Sequence, residues 1–319
     1  MKKNIILSIC ILFVLCLIII NPQHYISITL NAINVWATVL LPSLLPFFIF
    51  TKILSKLGTI ENLTYVFSPI TVNIYKNSKL SAYTFFMSIL TGYPVGSKLI
   101  ADLYKEKKLT KSQALRSLAF CSNSGPMFIL GSVGISMIGS KSAGYIMLIS
   151  HIVGALINGI IYRNLSVTDS ISKHKAIINK DNTENMLSTS VLDSVTSIML
   201  VGGIIVVAFI LIEVLQNINL FYPITKLLSL FNVSPNTSLS IINGIFEITK
   251  GTISVAQLSI SQDLKIIICS TLIAFGGICT IMQSMAFVKS FCSFRFMLLQ
   301  KTTHAFFTCV VTIILVIIF

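Results

Sequence analysis

The sequence predicts an all-α protein that crosses a membrane several times. Hydrophobic residues make up 55% of the 319-residue chain, charged residues only 10%, and the mean hydropathy is +0.90. Soluble domains carry about 25% charged residues, so this composition leaves no room for a large soluble domain. A spanning helix needs about 20 apolar residues. Several runs without Asp, Glu, Lys or Arg reach that length, at 4–51, 142–162, 194–212, 266–288 and 302–319.

The first 25 residues predict an extra N-terminal transmembrane helix. Two lysines precede an apolar run, as in a signal peptide, but no A-x-A site follows. An uncleaved span is therefore favoured, and a cleaved signal is the alternative. Residues 26–50 predict a second span, which Pro42 and Pro46 break or kink. Residues 58–80 are too short and mixed to span and predict a re-entrant or interfacial segment.

Two helix breaks follow in the first half, at 92–96 and at 122–126. Gly and Pro interrupt helices and free backbone N–H and C=O groups. In hydrocarbon these groups must be buried in protein or line a wet cavity, so the breaks favour a built cavity over ordinary loops. The candidate substrate-binding residues of this half are Gly92, Tyr93, Pro94, Gly96, Ser122, Asn123, Ser124 and Gly125.

The distribution of charged residues predicts the remaining elements of the first half and the segment after it. Residues 98–116 are rich in Lys and predict a helix and loop at the membrane surface, and 142–162 predict a plain span. Residues 163–189 are polar and predict a cytoplasmic linker between the halves.

The second half opens with a span at 194–212 that ends at Glu213, which we interpret as a span-end carboxylate near water. Two short pieces at 218–245 lead to a second pair of breaks. The candidate binding residues here are Glu247, Thr249, Gly276, Gly277 and Gln283. A basic loop with Lys289, Arg295 and Lys301 then precedes the last span, 302–319.

The two halves share this layout, which predicts an internal repeat. Gly92 and Gly125 are 33 residues apart, and Glu247 and Gly277 are 30 apart. If the N-terminal lysines lie inside, the positive-inside rule makes the first half run from outside to inside and the second half the reverse. Such inverted repeats with broken helices and re-entrant hairpins are typical of secondary transporters. The predicted units are an extra helix (1–25), a first repeat (26–162), the linker (163–189) and a second repeat (190–319).

Other function classes find little support. The net charge of +13 comes from loops between spans, so it does not indicate nucleic-acid binding. The seven Cys residues form no CxxC and mostly lie in apolar runs, which favours buried small side chains over disulfides or metal ligands. The four His residues lie far apart, without metal-ligand spacing. We expect no metal, no cofactor and no enzymatic activity.

Five motifs carry a family resemblance from about residue 30 to the end. They are LPSLLPFFIF (41–50), TGYPVGSKL (91–99), CSNSGPMFILGSVG (121–134), FEITKG (246–251) and AFGGICTIMQ (274–283). On these motifs the chain resembles the YlbJ (SpoVV) family of sporulation integral membrane proteins. That family belongs to the nucleoside-recognition Gate-domain proteins, which are similar to the core of concentrative nucleoside transporters. Lys250 stands where the resemblance leads us to expect a neutral polar residue. A functional role is therefore carried over to Glu247 more firmly than to Lys250.

The resemblance implies transport of dipicolinate, a pyridine dicarboxylate, across the outer forespore membrane of an endospore-forming bacterium. It also suggests a homo-oligomer in the lipid bilayer. Physical chemistry agrees, because helix N-termini at a break attract carboxylates and Tyr93 offers a ring for stacking. Lys98 and Lys250 either add charge or extend to the membrane surface. Glu247 either carries a coupling proton or pairs with Lys250 or with freed N–H groups. The alternatives are a nucleoside-type or other small-solute transporter and a non-transporting scaffold or gate subunit.

Overall fold

A computed structural model describes residues 2–57, 59–167 and 185–319, and all regular elements in these ranges are helical. Most of the predicted linker, 163–189, lies outside the described residues. The helices are α1 (Lys2–Ile20), α2 (Pro22–Val35), α3 (Leu41–Lys56), α4 (Thr59–Asn73), α5 (Leu80–Thr91), α6 (Val95–Lys105), α7 (Lys111–Cys121), α8 (Lys141–Tyr162), α9 (Met186–Asn217), α10 (Tyr222–Ser229), α11 (Pro235–Phe246), α12 (Ile248–Ala256), α13 (Gln262–Phe275), α14 (Gly277–Val288) and α15 (Phe294–Ile318). Two π-helical segments, Trp36–Leu40 and Phe128–Met137, add to them.

Five helical stretches are long and apolar enough to cross a membrane. They are Pro22–Leu54, Lys141–Tyr162, Met186–Asn217, Gln262–Val288 and Phe294–Ile318. The apolar part of α1, Ser8–Ile20, is shorter, so the extra N-terminal span stays a prediction. Large apolar side chains are exposed along these helices, as Leu200 of α9 is at 63%. The chain is therefore an all-helical polytopic membrane protein, whose apolar surface suits a bilayer.

Short polar side chains set the helix starts. Thr110 forms a capping box with Gln113 at the start of α7, in which each side chain bonds the other residue's backbone N–H. Ser140, Ser234, Ser261 and Ser293 likewise accept from the backbone N–H three residues later. These bonds satisfy N–H groups that have no partner within the helix.

The predicted effect of Pro42 and Pro46 takes a particular form. Neither proline ends the helix, because α3 runs through both. The irregularity lies just before them, where Trp36–Leu40 is π-helical and joins α2 to α3. A π segment absorbs the hydrogen bond that a proline cannot donate. The span is therefore not broken at either proline, and a kink, the other predicted effect, stays a prediction.

Helices α8 and α15 pack closely and support the breaks described below. A Cβ placed on Gly154 of α8 would lie 2.2 Å from the Thr308 hydroxyl of α15, so only a glycine allows this approach. Small residues commonly permit such contacts between membrane helices. The two backbones thereby bring residues of both halves of the sequence together.

The order of helices is the same in the two halves. Each half, α2 to α8 and α9 to α15, contains five parts in the same order. They are a long helical stretch, a short helix, a pair of helices joined by a break, a second such pair and a long helix. The joined pairs are α5/α6, α7 with the segment Phe128–Met137, α11/α12 and α13/α14. The inverted relation between these halves remains a prediction.

Candidate functional site

The two breaks of the first half touch each other. Gly92 ends α5 with φ +74°, a value that favours glycine. A Cβ at this position would lie only 2.7 Å from the backbone nitrogen of Gly125 in the second break. The chain therefore needs a glycine at residue 92 to bring the two breaks together.

Polar groups in the second break find partners on neighbouring helices. The Asn123 amide donates to the Ser88 hydroxyl at 2.9 Å and to the Phe120 carbonyl at 2.7 Å. The backbone N–H of Ser124 donates to His151 Nε2 of α8 at 3.0 Å. Side chains from α5 and α8 thus hold the interrupted backbone, as burial in an apolar medium requires.

The third break centres on Glu247, which separates α11 from α12. Its side chain is only 4% exposed, and its Oε2 accepts from the backbone N–H of Lys250 at 2.6 Å. Glu247 therefore caps α12, where a negative charge also meets the positive end of the helix dipole. This matches one of the predicted pairings, the one with a freed N–H group.

The fourth break joins both halves. Gly276 and Gly277 have φ values of +83° and +75° between α13 and α14. A Cβ on Gly276 would lie 3.3 Å from Tyr93 Cζ of the first break, and one on Gly277 would lie 3.2 Å from the Phe246 carbonyl oxygen beside the third. The four breaks consequently form one contiguous group. The first break contacts the second and the fourth, and the fourth also contacts the third.

One cavity of about 100 Å³ lies where these breaks meet. Seven of the predicted residues line it: Gly92, Tyr93, Ser124, Gly125, Glu247, Thr249 and Gln283. Cys279 and Thr280, from the first turn of α14, add polar atoms that sequence reasoning missed. Apolar side chains of α3 and α9, such as Phe48 and Ile205, close the remaining wall. A mostly apolar pocket with a few convergent polar groups is typical of small-molecule sites.

Six predicted residues do not line this cavity: Pro94, Gly96, Ser122, Asn123, Gly276 and Gly277. Gly96 serves helix packing instead, since a Cβ there would lie 2.0 Å from the Cys121 carbonyl oxygen of α7. The two C-terminal glycines shape the fourth break. Asn123 is turned toward α5, and Ser122 offers its carbonyl to Lys301. These six residues therefore do not line the cavity, and a direct role for them in substrate binding stays a prediction.

Lys301 was also placed wrongly by the sequence, in a basic loop. It lies inside α15 and is 3% exposed. Its Nζ donates to the Tyr93 hydroxyl at 2.7 Å and to the Ser122 carbonyl oxygen at 2.9 Å. The available signal was helical spacing, because Lys301, His304, Thr308 and Thr312 follow one face of the last span and are all buried.

The histidines are less scattered than the sequence suggested. The rings of His151 and His304 lie 4.8 Å apart, and His304 Nε2 is 3.1 Å from the His151 carbonyl oxygen. Because the Ser124 N–H donates to His151 Nε2, that nitrogen carries no proton. Among the described residues, no group of three His, Cys, Asp or Glu side chains could hold a metal.

Two further charged residues form ion pairs. Glu213 lies about one turn before the end of α9, as interpreted from the sequence, and its carboxylate lies 3.7 Å from Lys250 Nζ and 3.1 Å from His24 Nε2. Lys250 Nζ also lies 5.3 Å from the centre of the Phe209 ring. Its side chain therefore pairs with α9, while Lys98 is exposed away from the cavity.

Comparison with known proteins places this geometry in context. No family model matches the chain, and no solved structure matches it. It is 28% identical over 289 residues to the sporulation integral membrane protein YlbJ of Bacillus subtilis (strain 168), covering 83% of this chain and 71% of YlbJ. The chain is a homologue of YlbJ. The resemblance to YlbJ drawn from the motifs is thereby confirmed, and the chain is related to a membrane protein of sporulation.

Proposed function

We propose that this YlbJ homologue is a membrane transporter of a small planar anion, and that the anion is dipicolinate. One observation carries the proposal: four helix breaks, two from each half of the chain, are in mutual contact, and residues of three of them and of the first turn of α14, just after the fourth, line one cavity. Breaking four helices inside a membrane is costly unless the freed groups serve a purpose. A scaffold has no need of such a cavity, whereas discontinuous helices around a central site are how many transporters bind their substrates.

The site has features that suit a carboxylate ligand. The chain resumes its helix just after the second break, and α14 begins at the fourth, so N-terminal N–H groups lie beside the cavity. Such N-termini carry about half a positive charge. Ser124, Thr280 and Gln283 add hydrogen-bonding groups, and the Tyr93 ring offers a surface for a planar ligand.

Glu247 would repel a dianion while ionised. We therefore propose that it carries the coupling proton, since it is a buried carboxylate at the cavity and holds the N-terminus of α12. Protonation would neutralise the cavity wall and weaken the cap in one event. Substrate binding and movement of the third break would then be linked.

The proposal extends to place and assembly. The chain would act in the outer forespore membrane of an endospore-forming bacterium, embedded in lipid, as a homo-oligomer of Gate-domain repeats with inverted topology. It would need no cofactor and bind no nucleic acid.

A nucleoside-type or other neutral polar solute is the second candidate. One observation favours it: the described residues that line the cavity include the acidic Glu247 but no Lys or Arg. Sugar and base groups would use Glu247, Thr249 and Gln283 as hydrogen-bond partners.

Complementation tests the proposal. A Bacillus subtilis strain lacking YlbJ would receive this chain, its Glu247→Gln variant or an empty vector, and spore and mother-cell dipicolinate would be measured. We expect this chain to restore spore dipicolinate and Glu247→Gln to fail despite equal membrane levels. Dipicolinate that stays in the mother cell despite good expression would refute this cargo. A nucleoside uptake screen in vesicles would then decide between the second candidate and a non-transporting scaffold.

A further inference from the structure

Lys301 is a buried lysine at the junction of three breaks. Its Nζ donates to Tyr93 of the first break and to Ser122 of the second. Its Cε would lie 3.4 Å from a Cβ on Gly276 of the fourth break. Lys301 lies about two turns into α15, a helix long and apolar enough to cross a membrane, and its side chain is buried.

Among the described residues, no carboxylate forms an ion pair with the Lys301 amino group. Within the described part of the chain, the ion pairs involve Lys56, Lys108, Lys250 and His24, and none involves Lys301. The titratable side chains near Lys301 are Tyr93, which accepts its hydrogen bond, and His151 and His304, and none of the three is a carboxylate. By contrast, the partly buried Lys250 has Glu213 close by. A buried charge held only by neutral oxygens is costly, which makes the lone lysine informative.

Lys301 is separated from the cavity by one side chain. Tyr93 lines the cavity, and its hydroxyl accepts from Lys301 Nζ while donating to the Ile273 carbonyl oxygen at 3.2 Å. Lys301 is 3% exposed, and its Nζ contacts the Tyr93 hydroxyl and the Ser122 carbonyl oxygen. In such surroundings a charge acts on a ligand more strongly than it would through water.

We propose that Lys301 is the counter-charge for a negatively charged substrate in this cavity, acting across the Tyr93 hydroxyl. The inference rests on the proposed function and deepens it, because it names the protein group that selects for anions. It also explains how a cavity whose wall contains Glu247 accepts a carboxylate, since Lys301 would supply a positive charge behind Tyr93, another residue of the wall. A purely structural role, tying the breaks together, is the competing account.

Ligand charge separates the two accounts. Dipicolinate carries two carboxylates, picolinate one, and pyridine-2,6-dicarboxamide has the same ring without charge. A counter-charge affects binding of this series in proportion to ligand charge, whereas loss of a structural tie weakens all three equally. The ligands would be titrated calorimetrically into the full-length protein in lipid nanodiscs.

The variants are Lys301→Gln, Lys301→Arg and the control Lys265→Gln. Lys265 is also partly buried and donates to a backbone carbonyl, of Ala256, but lies about three helical turns from Gly276. We expect Lys301→Gln to weaken dipicolinate binding roughly 10- to 100-fold and dicarboxamide binding by no more than about twofold. Lys301→Arg should keep most of the preference for the dianion, and Lys265→Gln should match wild type.

Equal loss of both ligands in Lys301→Gln would overturn the proposal in favour of the structural tie, and unchanged dipicolinate binding would overturn it outright. If that variant does not fold, the wild-type series decides, because equal affinity for dipicolinate and dicarboxamide excludes a counter-charge. Wild-type protein that binds none of the three would refute the proposed substrate, and this inference with it. Dipicolinate binding that is indifferent to Lys301 would refute the inference alone.

Discussion

Replacing Gly92 by alanine should separate the first two breaks. The new Cβ would meet the Gly125 nitrogen at 2.7 Å, where an ordinary contact starts at 3.4 Å, so the segments must move apart by about 0.7 Å. The positive φ adds a strain of about 1–3 kcal/mol, and the forced displacement adds about 1–3 kcal/mol more. Because both segments line the cavity, the shift should reduce transport as well as stability.

Gly139→Ala is the matched control. Gly139 has φ +76°, almost the same as Gly92, but a Cβ there would have no heavy atom within 4 Å. Both variants therefore place an alanine at a positive φ, and only Gly92→Ala acquires the clash. Thermal unfolding and dipicolinate uptake would be measured on both proteins in the same lipid. If Gly92→Ala loses no more thermal stability and no more uptake than Gly139→Ala, the close contact of the two breaks has no functional importance.

Three further tests address other parts of the account. Glu247→Ala should lower the free energy of unfolding by about 1 kcal/mol through loss of the α12 cap, whereas Glu247→Gln should keep most of that stability and lose transport. Full uptake by Glu247→Gln would exclude a coupling proton on this residue. Lys250→Met should lower the free energy of unfolding by about 1–3 kcal/mol, and adding Glu213→Gln should recover part of this loss in a double-mutant cycle. Strict additivity of the two single-variant effects would argue against the ion pair. Gly96→Ala should reduce the yield of folded protein, because its Cβ would lie 2.0 Å from a backbone oxygen, and normal folding would contradict the α6–α7 contact.

The helix breaks could be predicted because glycine and proline act locally. Gly92, Gly125 and Gly276 each interrupt an apolar stretch, and their conformational freedom is visible in the sequence. A buried acid such as Glu247 also stands out where so few acidic residues occur. These local signals suffice to identify which segments meet at the cavity, although not which of their atoms face it.

The neighbours of the breaks could not be predicted in the same way. Lys301 follows two basic residues, so charge counting assigns it to a loop, yet α15 begins at Phe294 and carries it inward. His151 and His304 are 153 residues apart and meet only because α8 packs on α15. Such contacts depend on helix packing, which one sequence does not specify.

Dipicolinate uptake by proteoliposomes tests the central claim most directly, namely that the cavity among the four breaks is the path of the substrate. Thr280→Phe would place a ring in this cavity of about 100 Å³, whereas Thr196→Phe would place the same ring on the exposed face of α9. We predict uptake above that of protein-free vesicles for wild type and Thr196→Phe, and none for Thr280→Phe. Wild-type uptake no greater than in protein-free vesicles, or undiminished uptake by folded Thr280→Phe, would contradict the account.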